Sequence, residues 1–219
     1  VQEDSFEAMN LSSTYVKINE GGIFDSFTLS SGGRIIRNET KVSLLGEDAK
    51  CKIDGAYLMK NTQHCDNTTR VEHMMPNTTS DEMFKGVLDN KARGVFQGKI
   101  VVNQGAQSTD AKMLCKTMLL SDEAEIDVKP ELEIYADDVK CGHGAASSQV
   151  DESELFYLQS RGITKENAYS LLIQSFMNQV VSRISNAELR ALVDQKTVNW
   201  LEALARDRQI IGSNELNVD

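Results

Sequence analysis

Two short runs carry the side chains best suited to chemistry. Cys141-Gly142-His143 sets a thiol and an imidazole two residues apart. In a strand those positions share a face, and Gly142 removes bulk between them. A soft thiolate and an imidazole suit iron, zinc or an iron–sulfur cluster, and Cys–His is also a nucleophile–base pair. Catalysis would further need an orienting carboxylate and an oxyanion site, and no pattern in the chain supplies either. The competing reading is a small buried thiol beside a polar edge histidine, and spacing alone favours it. The second run is His64-Cys65-Asp66 with His73 nine residues on. A turn at Asp66-Asn67 would bring the two imidazoles together, with Cys65 and Glu72 as further ligands. The plainer alternative is a turn histidine and a strand histidine hydrogen-bonded to its neighbours, which the loose spacing favours.

Other chemistry is weaker. Asp81-Glu82 and Asp137-Asp138 are acid pairs of the kind that β-helical carbohydrate enzymes use. Adjacent strand residues point to opposite faces, so both pairs read as solvated turn charge. The eight methionines read as core filling. No P-loop, dinucleotide fingerprint or G-x-S-x-G elbow occurs.

These groups must be held by one of two regions, because the chain changes character near residue 150. Before it, β-branched and polar residues alternate, as in Thr69–His73, Gly94–Val102 and Glu131–Tyr135. Period-2 alternation marks half-buried strands. Turn signals at Gly21-Gly22, Gly32-Gly33, Asp54-Gly55, Asp66-Asn67, Asp89-Asn90 and Asn103-Gln104-Gly105 space the strands about eight to twelve residues apart. Periodicity leaves a solenoid and a sandwich both open; recurrent Asn and Gly at corners favour the solenoid. In that reading Val95, Ile100 and Val102 stack on Leu114 and Met118, and these on Ile126, Leu132 and Ile134.

After residue 150 the pattern is helical. Asp151-Glu152-Ser153-Glu154 starts one helix, with Phe156, Tyr157 and Leu158 as docking surface for the β region. Thr164 caps a second helix, with a stripe of Ala168, Leu171, Leu172, Phe176, Val180 and Ile184. Ser185-Asn186-Ala187-Glu188 reads as a capping box for a third, carrying Leu189, Leu192, Val193, Trp200, Leu201 and Leu204. The tail from about Arg206 to Asp219 reads as frayed. The expected organisation is a β region over 1–150 and an α-helical domain over 151–219.

Composition narrows the function classes. The 219 residues carry 23 basic and 33 acidic side chains, a formal charge of −10. Such a balance argues against nucleic acid, which needs clustered Lys and Arg. The longest apolar runs are about four or five residues, against ~20 for a membrane span. Cys51, Cys65, Cys115 and Cys141 form neither a disulfide framework nor a C-x-x-C pair, which suits a reducing compartment.

Residues 51–163 resemble a known family. The stretch Gln63-His64-Cys65-Asp66-Asn67-Thr68-Thr69-Arg70-Val71-Glu72-His73 is similar to its Q-H-x-D-N-x-T-x-V-x-H motif. Lys85-Gly86-Val87-Leu88-Asp89 and Arg93-Gly94-Val95-Phe96-Gln97-Gly98 are similar to its Y-K-G-V and G-V-F-x-G signatures. Lys129-Pro130-Glu131-Leu132-Glu133-Ile134-Tyr135-Ala136-Asp137-Asp138-Val139-Lys140-Cys141-Gly142-His143-Gly144-Ala145 and Leu155-Phe156-Tyr157-Leu158-Gln159-Ser160-Arg161-Gly162 follow in order. The chain is thereby identified as a member of the SufB/SufD family of iron–sulfur cluster assembly scaffolds. Its C-x-H-G run is similar to the SufD branch rather than the SufB branch.

The resemblance implies a mainly β fold, a right-handed parallel β-helix followed by a C-terminal α-helical domain. It implies a non-catalytic scaffold that pairs with SufB as a heterodimer and recruits the SufC ATPase through helices at about 151–205. The cofactor it implies is a transient iron–sulfur cluster or iron, held in the complex and not by the isolated chain. His143 is the implied cluster or metal ligand at the SufB interface, with Cys141 a weaker candidate. Cys65 departs from the family's H-V-D-N, which puts a ligand role for it in doubt. The chain resembles the C-terminal half of such a protein, as the start at Val1 also suggests. At an assumed ~20–25 residues per coil, it would hold about six or seven coils. A cytoplasmic location and a homodimer in the partner's absence are further expectations. The alternatives are a structural partner without any cluster ligand, a SufB-type chain, and a carbohydrate-active β-helix. The last would want aromatic platforms, and the chain has few aromatic residues, several of them on the helices.

Overall fold

The computed structural model describes residues 1–215, and side chains through residue 207. The expectation of a frayed tail therefore falls largely outside the described residues.

Ten strands precede three helices. The strands are β1 (Met9–Ile18), β2 (Ile23–Ser30), β3 (Ile35–Leu44), β4 (Lys50–Met59), β5 (His64–His73), β6 (Thr79–Leu88), β7 (Arg93–Val102), β8 (Thr109–Leu119), β9 (Glu125–Ile134) and β10 (Val139–Ser148). Odd-numbered strands form one five-stranded sheet, β1-β3-β5-β7-β9, and even-numbered strands a second, β10-β8-β6-β4-β2. All the ladders between them are parallel. Each turn of the chain adds one strand to each sheet, which makes a parallel β-solenoid of five coils. His64 pairs with Ile35 one coil earlier and Arg93 one coil later, a 29-residue repeat.

That repeat corrects the expectation of six or seven coils. A 29-residue coil is longer than the assumed coil of ~20–25 residues, so fewer coils use the same chain. It also removes two expected turns. Asp54-Gly55 lies inside β4 and Asp66-Asn67 inside β5. Both dipeptides have turn chemistry, but the pairing on each flank outweighs that local preference. The true corners use left-handed residues: Asp48, Asn61, Asn77, Asn90 and Ser108 have φ between 55° and 58°. Asn and Asp tolerate that region best among residues with a side chain.

Side-chain burial alternates most cleanly in β5. Along β5, Cys65, Asn67, Thr69, Val71 and His73 are buried, and the residues between them are half-buried. The buried set faces the lumen between the sheets, which holds the core: Ile36, Val42, Leu44, Ile53, Tyr57, Val71, Phe84, Leu88, Phe96, Ile100 and Met113 among others. Stacking runs along each sheet rather than between them. Ile100 sits on Val71 and Leu132, and Val102 on His73 and Ile134, without Leu114 or Met118 intervening.

The chain divides into two compact units, Val1–Ser148 and Gln149–Asp219. In the second, α1 (Glu152–Ser160) starts at Asp151, whose carboxylate accepts from the backbone N–H groups of Ser153 and Glu154. Helix α2 (Lys165–Val181) starts at Thr164, whose hydroxyl accepts from Asn167 N–H. Helix α3 (Ala187–Glu215) is capped by Asn186, which accepts from Leu189 N–H at 2.9 Å, and not by Ser185. Asn at that position competes as well as Ser, so the cap falls one residue later than the S-x-x-E pattern suggests. The buried stripe of α2 is Ala168, Ile173, Met177, Val180 and Val181; Leu171 is exposed. On α1, Phe156 and Tyr157 are 72% and 56% exposed, and Leu158 is half-buried. Among the described residues no helix is long and apolar enough to cross a membrane.

Candidate functional site

Strand β10 positions the Cys-x-His pair. It bonds to β8 on one side and ends the sheet on the other. Cys141 pairs in register with Ala111, and His143 with Met113. Ala111 and Met113 are buried, lumen-facing residues of β8. Cys141 and His143 thus occupy lumen-facing positions of the last coil, two residues apart on one row of strand positions. Cys141 is half-buried and packs against the core, whereas His143 is exposed. The difference follows from the edge: no further strand covers β10, and Gly142 and Gly144 flank His143 with nothing larger than a backbone. Partial burial holds the Cys141 thiol above the usual thiol range, and Asp110 adds to this, against a hydrogen bond from the Ala111 backbone. The imidazole is therefore the readier donor, and the thiol needs a metal to displace its proton.

The other candidate ligand set does not assemble, as the plainer reading of its spacing has it. His64 and His73 stand at opposite ends of β5. Nine residues of strand separate them by about 30 Å. His73 is buried and fully engaged. Its Nδ1 lies 2.8 Å from Thr78 Oγ1 and its Nε2 2.9 Å from Ser80 Oγ. Thr78 donates to the Met75 carbonyl at 3.1 Å, so it accepts from Nδ1–H and leaves Nε2 to accept from Ser80. Burial pushes the His73 pKa down to about 4. His73 is a structural, neutral histidine.

Three of the four thiols are inert. Cys65 is buried, receives an Asn67 amide N–H at 3.5 Å, and is pushed up to about 12 by burial. Cys115, beside Tyr57, is pushed up to about 11 for the same reason. Cys51 is buried and raised further, with Glu82 adding to the effect. The doubt about Cys65 as a ligand is consistent with this burial. All four cysteines are free.

One acid of the two pairs departs from the expectation of solvated turn charge. Asp137 and Asp138 are exposed beside the β9–β10 corner, as solvated charges should be. Glu82, however, is wholly buried in β6. Its signal was parity: Glu82 shares the lumen-facing parity of Ser80, Phe84 and Leu88. Among the described residues neither carboxylate oxygen has a hydrogen-bond partner, and nor does the Thr69 hydroxyl close by. Burial pushes the Glu82 carboxyl up to about 7; the Thr69 hydroxyl opposes the shift, and Asp81 and Asp54 add to it. Among the described residues no three His, Cys, Asp or Glu side chains converge as a ready metal cage.

The motif glycines have packing reasons. A Cβ on Gly86 would lie 1.9 Å from the Tyr57 ring. That ring lies along its own sheet over Gly86, so that its hydroxyl meets Thr117 Oγ1, two strands away, at 2.6 Å. A Cβ on Gly98 would lie 2.3 Å from Met113 Sδ, so the missing side chain is what admits the thioether.

Comparison with known proteins identifies the family. Residues 1–176 match the family model described as "SUF system FeS cluster assembly, SufBD core domain". The chain is 36% identical over 162 residues to the iron–sulfur cluster assembly protein SufD of Escherichia coli, covering 74% of this chain and 38% of that protein. It is 34% identical to the chloroplastic protein ABCI7 of Arabidopsis thaliana, over 87% of this chain and 40% of that one. It is 31% identical to an iron–sulfur cluster assembly SufBD family protein of Synechocystis, over 89% of this chain and 43% of that one. The chain thus spans about two fifths of the length of these relatives. On the match across the solenoid and into α2, the chain belongs to the SufB/SufD family of the SUF iron–sulfur cluster assembly system and is most like SufD.

Proposed function

We propose that the chain is the scaffold partner of a SufB-type subunit in a SUF assembly complex, and that it carries no covalent turnover of its own. The observation that carries this reading is His143: an exposed imidazole at a lumen-facing position of an unpaired edge strand. An edge strand with free N–H and C=O groups is a template for another chain's strand. A SufB-type solenoid pairing there would enclose His143 and Cys141 between two lumens. A neutral imidazole in that space accepts iron or an early cluster, with sulfide or a thiolate arriving from the partner. The raised thiol of Cys141 makes it a second ligand that acts only once a metal is present. The family membership sets aside the carbohydrate-active alternative.

The solenoid is taken as right-handed, by likeness to the family. The helical unit is the proposed seat of the SufC ATPase, with the exposed Phe156, Tyr157, Leu171, Leu189 and Leu192 as its apolar anchors. ATP-driven movement of SufC would act through these helices on the β10 interface. Without a partner the same edge would pair with a second copy, by mass action. The expected location is the compartment of the SUF machinery, the cytoplasm in a bacterium.

The test is co-purification with SufB and SufC, followed by iron and acid-labile sulfide analysis, wild type against His143→Ala. Loss of cluster with the complex intact supports the ligand role. Unchanged iron and sulfide would leave the chain a structural partner only.

A further inference from the structure

The row of lumen-facing positions that ends at His143 continues inward. His143 pairs with Met113, and Met113 pairs with Glu82. Two strand spacings, about 9–10 Å, separate the His143 and Glu82 backbones. Glu82 is the group that the site described above leaves unexplained. It is 0% exposed, and among the described residues both of its oxygens lack a hydrogen-bond partner. Thr69, from the opposite sheet, brings a second buried oxygen beside it. The thioether of Met113 lies one strand further along the row. Its sulfur lies in the space that Gly98 leaves free, and Gly98 is the ladder partner of Thr69. By register a carboxylate and a thioether therefore share one row of lumen-facing positions, with a hydroxyl on the opposite sheet, and the row ends at the exposed imidazole.

An isolated buried carboxylate is costly, and a fold keeps one where something compensates it. A proton is one compensator and a cation is another. Serine, glutamine or an apolar residue at this position would avoid the cost altogether. We propose that Glu82, with Thr69 and Met113, forms an inner cation site for a divalent transition metal that enters past His143. The mixed oxygen and sulfur donors suit a borderline ion such as ferrous iron better than calcium or magnesium, which want oxygen cages. Water or an imidazole fills the remaining positions, since three protein donors do not close a shell. This site rests on the reading of His143 as the entry ligand, and deepens it: iron is held in the lumen before the cluster is built at the edge.

Cobalt(II) is the probe, because its visible d–d bands report the donor set without oxidation. The purified protein is titrated anaerobically at pH 7.5, as wild type, Glu82→Gln, Met113→Leu and His143→Ala. Wild type is expected to take up one equivalent saturably. Glu82→Gln, nearly isosteric and without the charge, is expected to weaken uptake at least tenfold with an unchanged circular dichroism spectrum. Met113→Leu is expected to alter the visible bands. Absence of saturable uptake by wild type, or equal uptake by wild type and Glu82→Gln, overturns the inner site and leaves Glu82 a neutral buried acid. If Glu82→Gln binds cobalt normally while His143→Ala abolishes cluster assembly in the complex, only the inner site falls. If Glu82→Gln loses cobalt while His143→Ala assembles normally, the edge ligand falls and the inner site stands.

Discussion

His143 is the ladder partner of Met113, yet Met113 is 2% exposed and His143 is open to solvent. The two occupy equivalent lumen-facing positions on adjacent strands. Only the missing outer strand distinguishes them. Whatever pairs with β10 therefore converts an exposed imidazole into a lumen residue.

Because His143 is exposed, His143→Ala should change the protein's own stability by less than about 0.5 kcal/mol. Thermal unfolding checks this. Hydrogen exchange should show the β10 amides fast in the isolated protein and protected once a SufB-type partner is added.

Thiol reactivity should single out one cysteine. Cys51, Cys65 and Cys115 are buried with thiols held well above the ordinary range. Cys141 is half-buried at an edge. Under native conditions an aromatic disulfide reagent should modify Cys141 first, and the other three only on unfolding. Mass spectrometry of the labelled protein reads the order.

Gly86→Ala should destabilise the solenoid by more than about 2 kcal/mol, because a Cβ there meets the Tyr57 ring. Tyr57→Phe keeps the ring and loses only the hydrogen bond to Thr117, so it should cost about 1 kcal/mol. Urea unfolding of both variants checks the ranking.

His73 and Glu82 make opposite contributions to the pH dependence of stability. The folded-state pKa of His73 is depressed to about 4. Its contribution is complete above pH ~6.5 and is lost as pH falls toward 4, because the unfolded chain takes up the proton. The folded-state pKa of Glu82 is raised to about 7. Its contribution is complete at low pH and is lost as pH rises from ~4.5 to 7, because the unfolded chain releases the proton. Between pH ~4.5 and 6.5 the two slopes cancel. In the presence of a chelator, Glu82→Gln should raise stability by about 2–3 kcal/mol at pH 8 and by little at pH 4.5. The variant's stability should then climb with pH where wild type is flat. Denaturant midpoints at five pH values read this directly.

Much of this arrangement was legible in the sequence. Alternation in Thr69–His73 and Gly94–Val102 marked β5 and β7 as half-buried strands, because a pleated chain turns every second side chain inward. Asp151 and Thr164 announced the helix starts, because an N-cap is a local hydrogen bond. The Cys141-Gly142-His143 spacing placed thiol and imidazole on one row. Local chemistry failed where pairing outweighed it. Asp54-Gly55 and Asp66-Asn67 look like turns and are strand interior, held by ladders on both flanks. His64 and His73 are close in sequence and lie at opposite ends of one strand.

What the sequence by itself determined is the set of inward and outward positions, since side-chain alternation is a property of each strand alone. What only the tertiary structure decided is which inward positions share a row. Ile53, Glu82, Met113 and His143 are 29, 31 and 30 residues apart, and corners of unequal length set those steps. No local rule fixes a corner's length, so the register that stacks an orphaned carboxylate beneath an exposed imidazole exists only once the coils have closed.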